Sequence, residues 1–149
     1  VKERAILISG EFEADRSSFE APERQKELEE LARSAGVEVV ESLFLKQKSP
    51  NAPLLWGRGR MAEVATLRKS SRADVVIFEK DLSPSQQRNL EELIGAKIID
   101  RTQLILDIFA QRARSTEGKL QVELAQLKYL LPRLSGKGVE MSRLGGGVG

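Results

Sequence analysis

Val75-Val76-Ile77-Phe78, bounded by Asp74 and Glu79, is a four-residue run without polar alternation; Ser83-Pro84-Ser85-Gln86 follows, then a helix-length stretch and Ala96-Lys97-Ile98-Ile99. A short run that is apolar on both faces is a strand buried on both faces. Ser83, with Pro84 next and Gln86 three residues on, is a capping-box start for a helix that carries Leu90, Leu93 and Ile94 on one side. The segment spells strand, helix, strand. That order asks for a parallel pair joined by a right-handed crossover.

The same grammar runs upstream. Arg4-Ala5-Ile6-Leu7-Ile8-Ser9 is a second buried run, ending at Gly10, and Glu11 to Ser18 reads as a polar loop. Pro22 suits the first turn of a helix, with Glu20 and Glu23 near its positive end. Leu28, Leu31, Ala32 and Ala35 form its apolar face and Gly36 its C-terminal cap. Val37-Glu38-Val39-Val40 and Leu43-Phe44-Leu45 give another strand, bent near Ser42, and Pro50 and Pro53 mark a loop. Gly57-Arg58-Gly59-Arg60 then opens a helix with Met61, Val64 and Ala65 inward. The expectation for residues 1–100 is an α/β subdomain, a mainly parallel four-stranded sheet with flanking helices. Strand order is not written in this pattern.

After Asp100 the pattern changes. Asp100 and Gln103 read as a further capping box, and Leu104, Ile105, Ile108 and Phe109 cluster on one side of a helix. Leu120, Leu124, Leu127, Leu131 and Leu134 are then spaced 4, 3, 4 and 3, an a/d seam over two heptads. Such a seam needs a partner helix, yet the chain passes Pro132 into Ser135-Gly136-Lys137-Gly138 and ends at Gly145-Gly146-Gly147-Val148-Gly149. Residues 101–149 are therefore expected to hold a helix and a glycine-rich end, truncated before a partner helix. The other readings of the seam are packing back onto the α/β layer and homodimerisation.

Composition narrows the chemistry. Among 149 residues there is no cysteine and no histidine, which removes disulfides, thiol nucleophiles, imidazole bases and their metal sites. No apolar run approaches a membrane span and no secretory signal opens the chain, so a cytoplasmic location is expected. The net charge of +2 hides an asymmetry: residues 1–100 hold 16 basic and 18 acidic side chains, residues 101–149 hold 8 and 4. Only Tyr129 is aromatic beyond Phe109, so nucleic-acid contact at the basic end would be with backbone rather than stacked bases.

Individual motifs are weaker. Gly57-Arg58-Gly59 before a helix could place N–H groups around a phosphate, but a third glycine is missing, and a tight turn with a solvated basic helix start also explains it. Gly136-Lys137 resembles the end of a P-loop, but Leu131 stands where the first glycine belongs and Gly138 where Ser or Thr belongs. Asp74, Glu79 and Asp81 read as strand-end loop residues and helix caps rather than a metal cluster, and Gln86, Gln87, Arg88 and Asn89 as a solvated face. No catalytic residue and no metal ligand is assigned.

Asp100-Arg101-Thr102-Gln103-Leu104-Ile105-Leu106-Asp107-Ile108-Phe109-Ala110-Gln111-Arg112-Ala113-Arg114 resembles the signature of the N-terminal region of HflX-type GTPases, as does Gly118 to Leu134. Leu82-Ser83-Pro84, Gln86 to Glu91, the Gly57-x-Gly59 turn and Gly145 to Gly149 are similar to the same family; Trp56, where a smaller aliphatic residue is usual, departs from it. The resemblance implies an α/β subdomain over residues 1–100, then over residues 101–149 a helical arm and glycine-rich loop, the first helix of an antiparallel pair truncated before the second, and then a G domain that holds GTP and Mg²⁺. It implies docking on the large ribosomal subunit and its rRNA near the peptidyl-transferase centre, in support of GTP-dependent ribosome splitting or rescue. The RNA-facing residues carried over are Arg133, Lys137, Arg143, Gly145, Gly146 and Gly147, with Lys119 and Lys128 along the arm. No cofactor is expected in this fragment, and its own G domain is the second expected partner. The alternatives are an ATP-binding α/β module built on Gly57, Arg58 and Gly59, and an autoregulatory domain that restrains the G domain.

Overall fold

The computed structural model describes residues 2–15 and 21–134. In chain order the elements are β1 (Arg4–Phe12), α1 (Ala21–Ser34), β2 (Glu38–Gln47), α2 (Arg58–Ser71), β3 (Val75–Phe78), α3 (Pro84–Ile94), β4 (Lys97–Asp100), α4 (Arg101–Arg112) and α5 (Thr116–Leu130). The four strands form one parallel sheet in the order β2-β1-β3-β4. The α/β reading therefore holds, and each strand found in the pattern is present.

Period-two alternation divides the sheet into two cores. Ile6 and Ile8 of β1 join Leu45, Trp56, Met61, Val64, Leu90, Ile94 and Ile98 beneath α2 and α3. Ala5 and Leu7 join Leu28, Ala32, Val75, Ile77, Leu104 and Ile108 beneath α1 and α4. The strands carry apolar residues on both faces because helices cover both.

Several local expectations are corrected. β1 does not stop at Gly10 but continues through Phe12, because Gly10 allows β2 and Trp56 to close on the strand. A Cβ built there would lie 2.3 Å from the Leu45 carbonyl oxygen and 2.5 Å from Trp56 Cη2. Trp56 stacks on Phe12 with ring centroids 4.9 Å apart. β2 is continuous through Ser42; its irregularity is a register shift in which Ala5 pairs with Val39 but Ile6 with Glu41. Gly36 takes φ +86, as a left-handed helix cap requires.

The polar run in α3 is not a solvated face. Gln87 is 2% exposed and donates from Nε2 to the Ile98 carbonyl at 2.9 Å. Gln86 and Asn89 donate to the carbonyls of Ala52 and Pro53, tying the β2–α2 loop to α3. The Ser83 capping box is complete. At Asp100 it is one-sided: the carboxylate accepts from the Gln103 N–H, while the Gln103 side chain turns to Asp107 at 2.8 Å. Helix α4, expected with the arm, buries Leu104 and Ile108 beside α1, so the arm as a separate element begins at α5.

Candidate functional site

Helix α5 starts at Ser115, whose Oγ accepts from the Gly118 N–H at 2.9 Å, and its last turn tightens over Leu131–Arg133. Its seam leucines do not pack back onto the body. Leu120, Leu124, Leu127, Leu131 and Leu134 are 47–62% exposed, in line with an unpaired seam. Phe109, expected on the buried side of α4, is 55% exposed.

What α5 presents to the body is a stripe with the same helical spacing and mixed chemistry: Val122, Gln126, Tyr129, Leu130 and Arg133. Beneath it lie two buried carboxylates. Asp100 (1% exposed) accepts from the Gln103 N–H at 3.0 Å, the Leu82 N–H at 3.0 Å and the Tyr129 hydroxyl at 2.6 Å. Asp107 Oδ1 accepts from Gln103 Nε2 at 2.8 Å and Gln126 Nε2 at 3.1 Å. Burial, then the charge of Asp100 and the hydrogen bond to it, hold the Tyr129 phenol well above its ordinary range. It therefore stays a proton donor at any pH the fold meets. Charge-assisted hydrogen bonds of this kind are short and about twice as strong as neutral ones.

Arg133 closes the joint. Its guanidinium donates to Gln87 Oε1 at 2.9 Å, the Tyr129 carbonyl at 3.0 Å and the Leu82 carbonyl at 2.6 Å, and it lies 3.9 Å above the Tyr129 ring centroid. Arg133 was expected to face RNA. In the fold its first role is to clamp the end of the arm to α3 and the β3–α3 loop.

Lys119 and Lys128 are exposed on α5, clear of the joint. Lys137, Arg143, Gly145, Gly146 and Gly147 lie outside the described residues. At the start of α2, the Gly57 N–H is taken by Gln47 Oε1 at 2.8 Å, and no side chain caps the helix. Arg58 and Gly59 are exposed there. The strand-end acids are engaged within the fold: Asp74 with the Arg4 N–H, Glu79 with Arg24, and Asp81 with Thr102. Among the described residues no group of three acids could hold a metal ion, and no helix is long and apolar enough to cross a membrane.

Asp107, Gln126 and Tyr129 were missed from the sequence, and Asp100 was read only as a helix cap. The leucine seam draws the eye to the opposite face, although Gln126, Tyr129 and Arg133 repeat at the same spacing of 3 and 4.

Comparison with known proteins agrees with this anatomy. Residues 22–110 match the family described as GTP-binding GTPase N-terminal, and residues 112–149 match GTP-binding GTPase Middle Region. The GTPase HflX of Caldanaerobacter subterraneus subsp. tengcongensis is 53% identical over 148 residues, covering 99% of this chain and 33% of that protein. The GTPase HflX of Escherichia coli is 46% identical, covering 99% of this chain and 34% of that protein. The chain thus spans about a third of the length of the curated relatives it matches. Among solved structures, a GTP-binding protein from Sulfolobus solfataricus in complex with GDP superposes with a TM-score of 0.67 at 28% identity. That match covers 89% of this chain and 38% of that one.

A parallel α/β body bearing an outward-facing helix is, by these matches, the N-terminal and middle region characteristic of GTP-binding GTPases. The chain belongs to the HflX-type GTPase family, and what it carries is that N-terminal region.

Proposed function

We propose that this chain is the ribosome-docking part of an HflX-type GTPase. The body and the clamped helix α5 carry residues 135–149, whose Lys137, Arg143 and Gly145 to Gly147 meet rRNA of the large subunit. The observation that carries the reading is the arm itself. A helix held by a buried polar joint turns five leucines to solvent and leads into the most glycine-rich part of the chain, within its net-basic last third. Glycines there leave room for backbone to approach phosphate closely. The seam is the surface on which a second arm helix would lie.

The docking is mechanical and supports GTP-dependent ribosome splitting or rescue in the cytoplasm. GTP and Mg²⁺ do not fit the present residues: Leu131 and Gly138 break the P-loop pattern. Nucleotide turnover accordingly falls to a G domain, which is also the domain's partner within its own protein.

Co-sedimentation with purified large ribosomal subunits at low and moderate salt tests the reading. Salt-sensitive pelleting that a Lys137→Glu/Arg143→Glu variant weakens is expected. Failure of the parent chain to pellet at either salt contradicts it.

A further inference from the structure

Helix α5 is attached to the body by a different kind of contact from the other four helices. Each of α1 to α4 places apolar side chains in one of the two cores, and α5 places none. Of its 15 residues, Leu130 is the only buried apolar one and Gln126 the only buried polar one. What joins it to the body is polar: Gln126 to Asp107, Tyr129 to Asp100, and Arg133 to Gln87 and the Leu82 carbonyl. Such bonds replace bonds to water, so the net gain from each is modest. One buried leucine adds far less than the apolar face of a core helix.

The joint also contains groups that docking disfavours. Gln103 and Gln126 both donate from Nε2 to Asp107 Oδ1. That fixes the orientation of each amide, since a flipped amide would set its oxygen against the carboxylate. Oε1 of both side chains is then buried without a hydrogen-bond partner. A buried acceptor left without a donor costs at least what a made hydrogen bond contributes. Lifting α5 returns Gln126 to water and opens the carboxylate and Gln103 beneath it. The docked state has a penalty that the lifted state lacks.

Local structure lets the helix move as one piece. Ala113 (φ −66, ψ 129) and Ser115 (φ −79, ψ 155) are extended, and with Arg114 between them they separate α4 from α5. The cap of α5 belongs to α5: Ser115 Oγ accepts from the Gly118 N–H and the Ser115 carbonyl from the Lys119 N–H. Its last turn closes on itself through the Leu134 N–H and the Leu131 carbonyl. Among the described residues no backbone–backbone hydrogen bond ties α5 to the body. A few residues at element ends that can absorb a change in φ and ψ are what a hinge requires. Tyr129 lies about 20 Å of helix beyond them, with Arg133 one turn further.

We infer that α5 is a hinged arm, which pivots on Ala113–Ser115 between a docked state latched by Tyr129 and Arg133 and a released state in which the latch faces solvent. The movement is a property of this chain alone, whatever the arm touches.

The test uses the 149-residue chain, which has no native cysteine. Nitroxides at Glu30→Cys on α1 and Lys128→Cys on α5, both exposed positions, report the distance between body and arm by pulsed electron paramagnetic resonance. The parent is expected to show a docked distance and a second, less populated one. In a Tyr129→Phe/Arg133→Met variant the ratio of released to docked is expected to rise at least about tenfold, because two latch groups are lost. Amide exchange gives the independent reading. A free helix of this length is marginal in water, so amides of α5 in the parent should exchange at least about tenfold faster than those of β1 and β3. A single docked distance in both proteins overturns the hinge. So does protection of α5 equal to that of the strands, or a variant in which the strands lose protection together with α5.

Discussion

Replacing Tyr129 by Phe removes one oxygen from the joint between arm and body and leaves the rest in place. The lost bond is the 2.6 Å donation to Asp100 Oδ1. Asp100 keeps the N–H groups of Leu82 and Gln103, so no carboxylate is stranded, and the ring that Arg133 covers at 3.9 Å remains. Hydrogen bonds to charged groups contribute about 1.5–3 kcal/mol net, and the surviving donors place this loss near the lower end, about 1.5 kcal/mol. That energy belongs to the docking of α5, not to the two cores of the sheet, neither of which includes Tyr129. Amide hydrogen exchange resolves the difference. Protection over residues 122–130 is expected to drop about tenfold, since about 1.4 kcal/mol is a factor of ten, with β1 and β3 unchanged. Equal loss in the strands would mean that the joint is part of the global core. No loss anywhere would mean that the hydroxyl does not hold the arm. Either result refutes the anchorage.

How much of this was legible beforehand follows from the kind of signal each feature leaves. Val75–Phe78 and Ala5–Ile8 announce buried strands because helices cover both faces, and the Ser83 box and Gly36 mark helix ends chemically. β1 runs on past Gly10 because the deciding contact, between Gly10, Leu45 and Trp56, joins residues distant in sequence. The strand order depends on pairings of the same kind. The seam was readable because five leucines share one spacing. The joint was not, since Asp107, Gln126 and Tyr129 look like solvated side chains, and Asp100 like a helix cap alone, until α4 and α5 fold together. The same holds for Arg133, whose charge suggested RNA while its partners are Gln87, Tyr129 and Leu82.

Three further outcomes are expected. Gly10→Ala forces a methyl against the Leu45 carbonyl and Trp56, and should destabilise the domain by about 3 kcal/mol, read by urea unfolding with Trp56 fluorescence. Glu91 is 8% exposed and burial is the main cause that pushes its pKa up to about 7, with Glu92 adding and Arg88 opposing. An acid raised in the folded state favours folding while protonated, so this group's contribution is present below its unfolded value of 4.5 and is lost as pH rises through 7. Glu91→Gln should therefore stabilise the chain at pH 8 by up to about 3 kcal/mol, and by much less at pH 5, measured as the difference in urea midpoints. Leu124→Glu/Leu131→Glu alters side chains that are 54% and 62% exposed, and should leave unfolding within about 0.5 kcal/mol of the parent. A large destabilisation that grows with protein concentration would show the seam buried between two copies.

The central claim is that the arm's loop meets rRNA, and the absence of native cysteine makes it directly accessible. A single cysteine introduced as Lys137→Cys, tethered to an iron chelate, directs hydroxyl radicals at RNA within reach of that position. A control cysteine as Glu30→Cys, exposed on α1 among acidic neighbours, reports from the acidic body instead of the arm. On large ribosomal subunits the account predicts strand scission in a compact region of rRNA from position 137 and none above background from position 30. Scission from position 30 alone, or none from either in a chain that still pellets with the subunit, would contradict it.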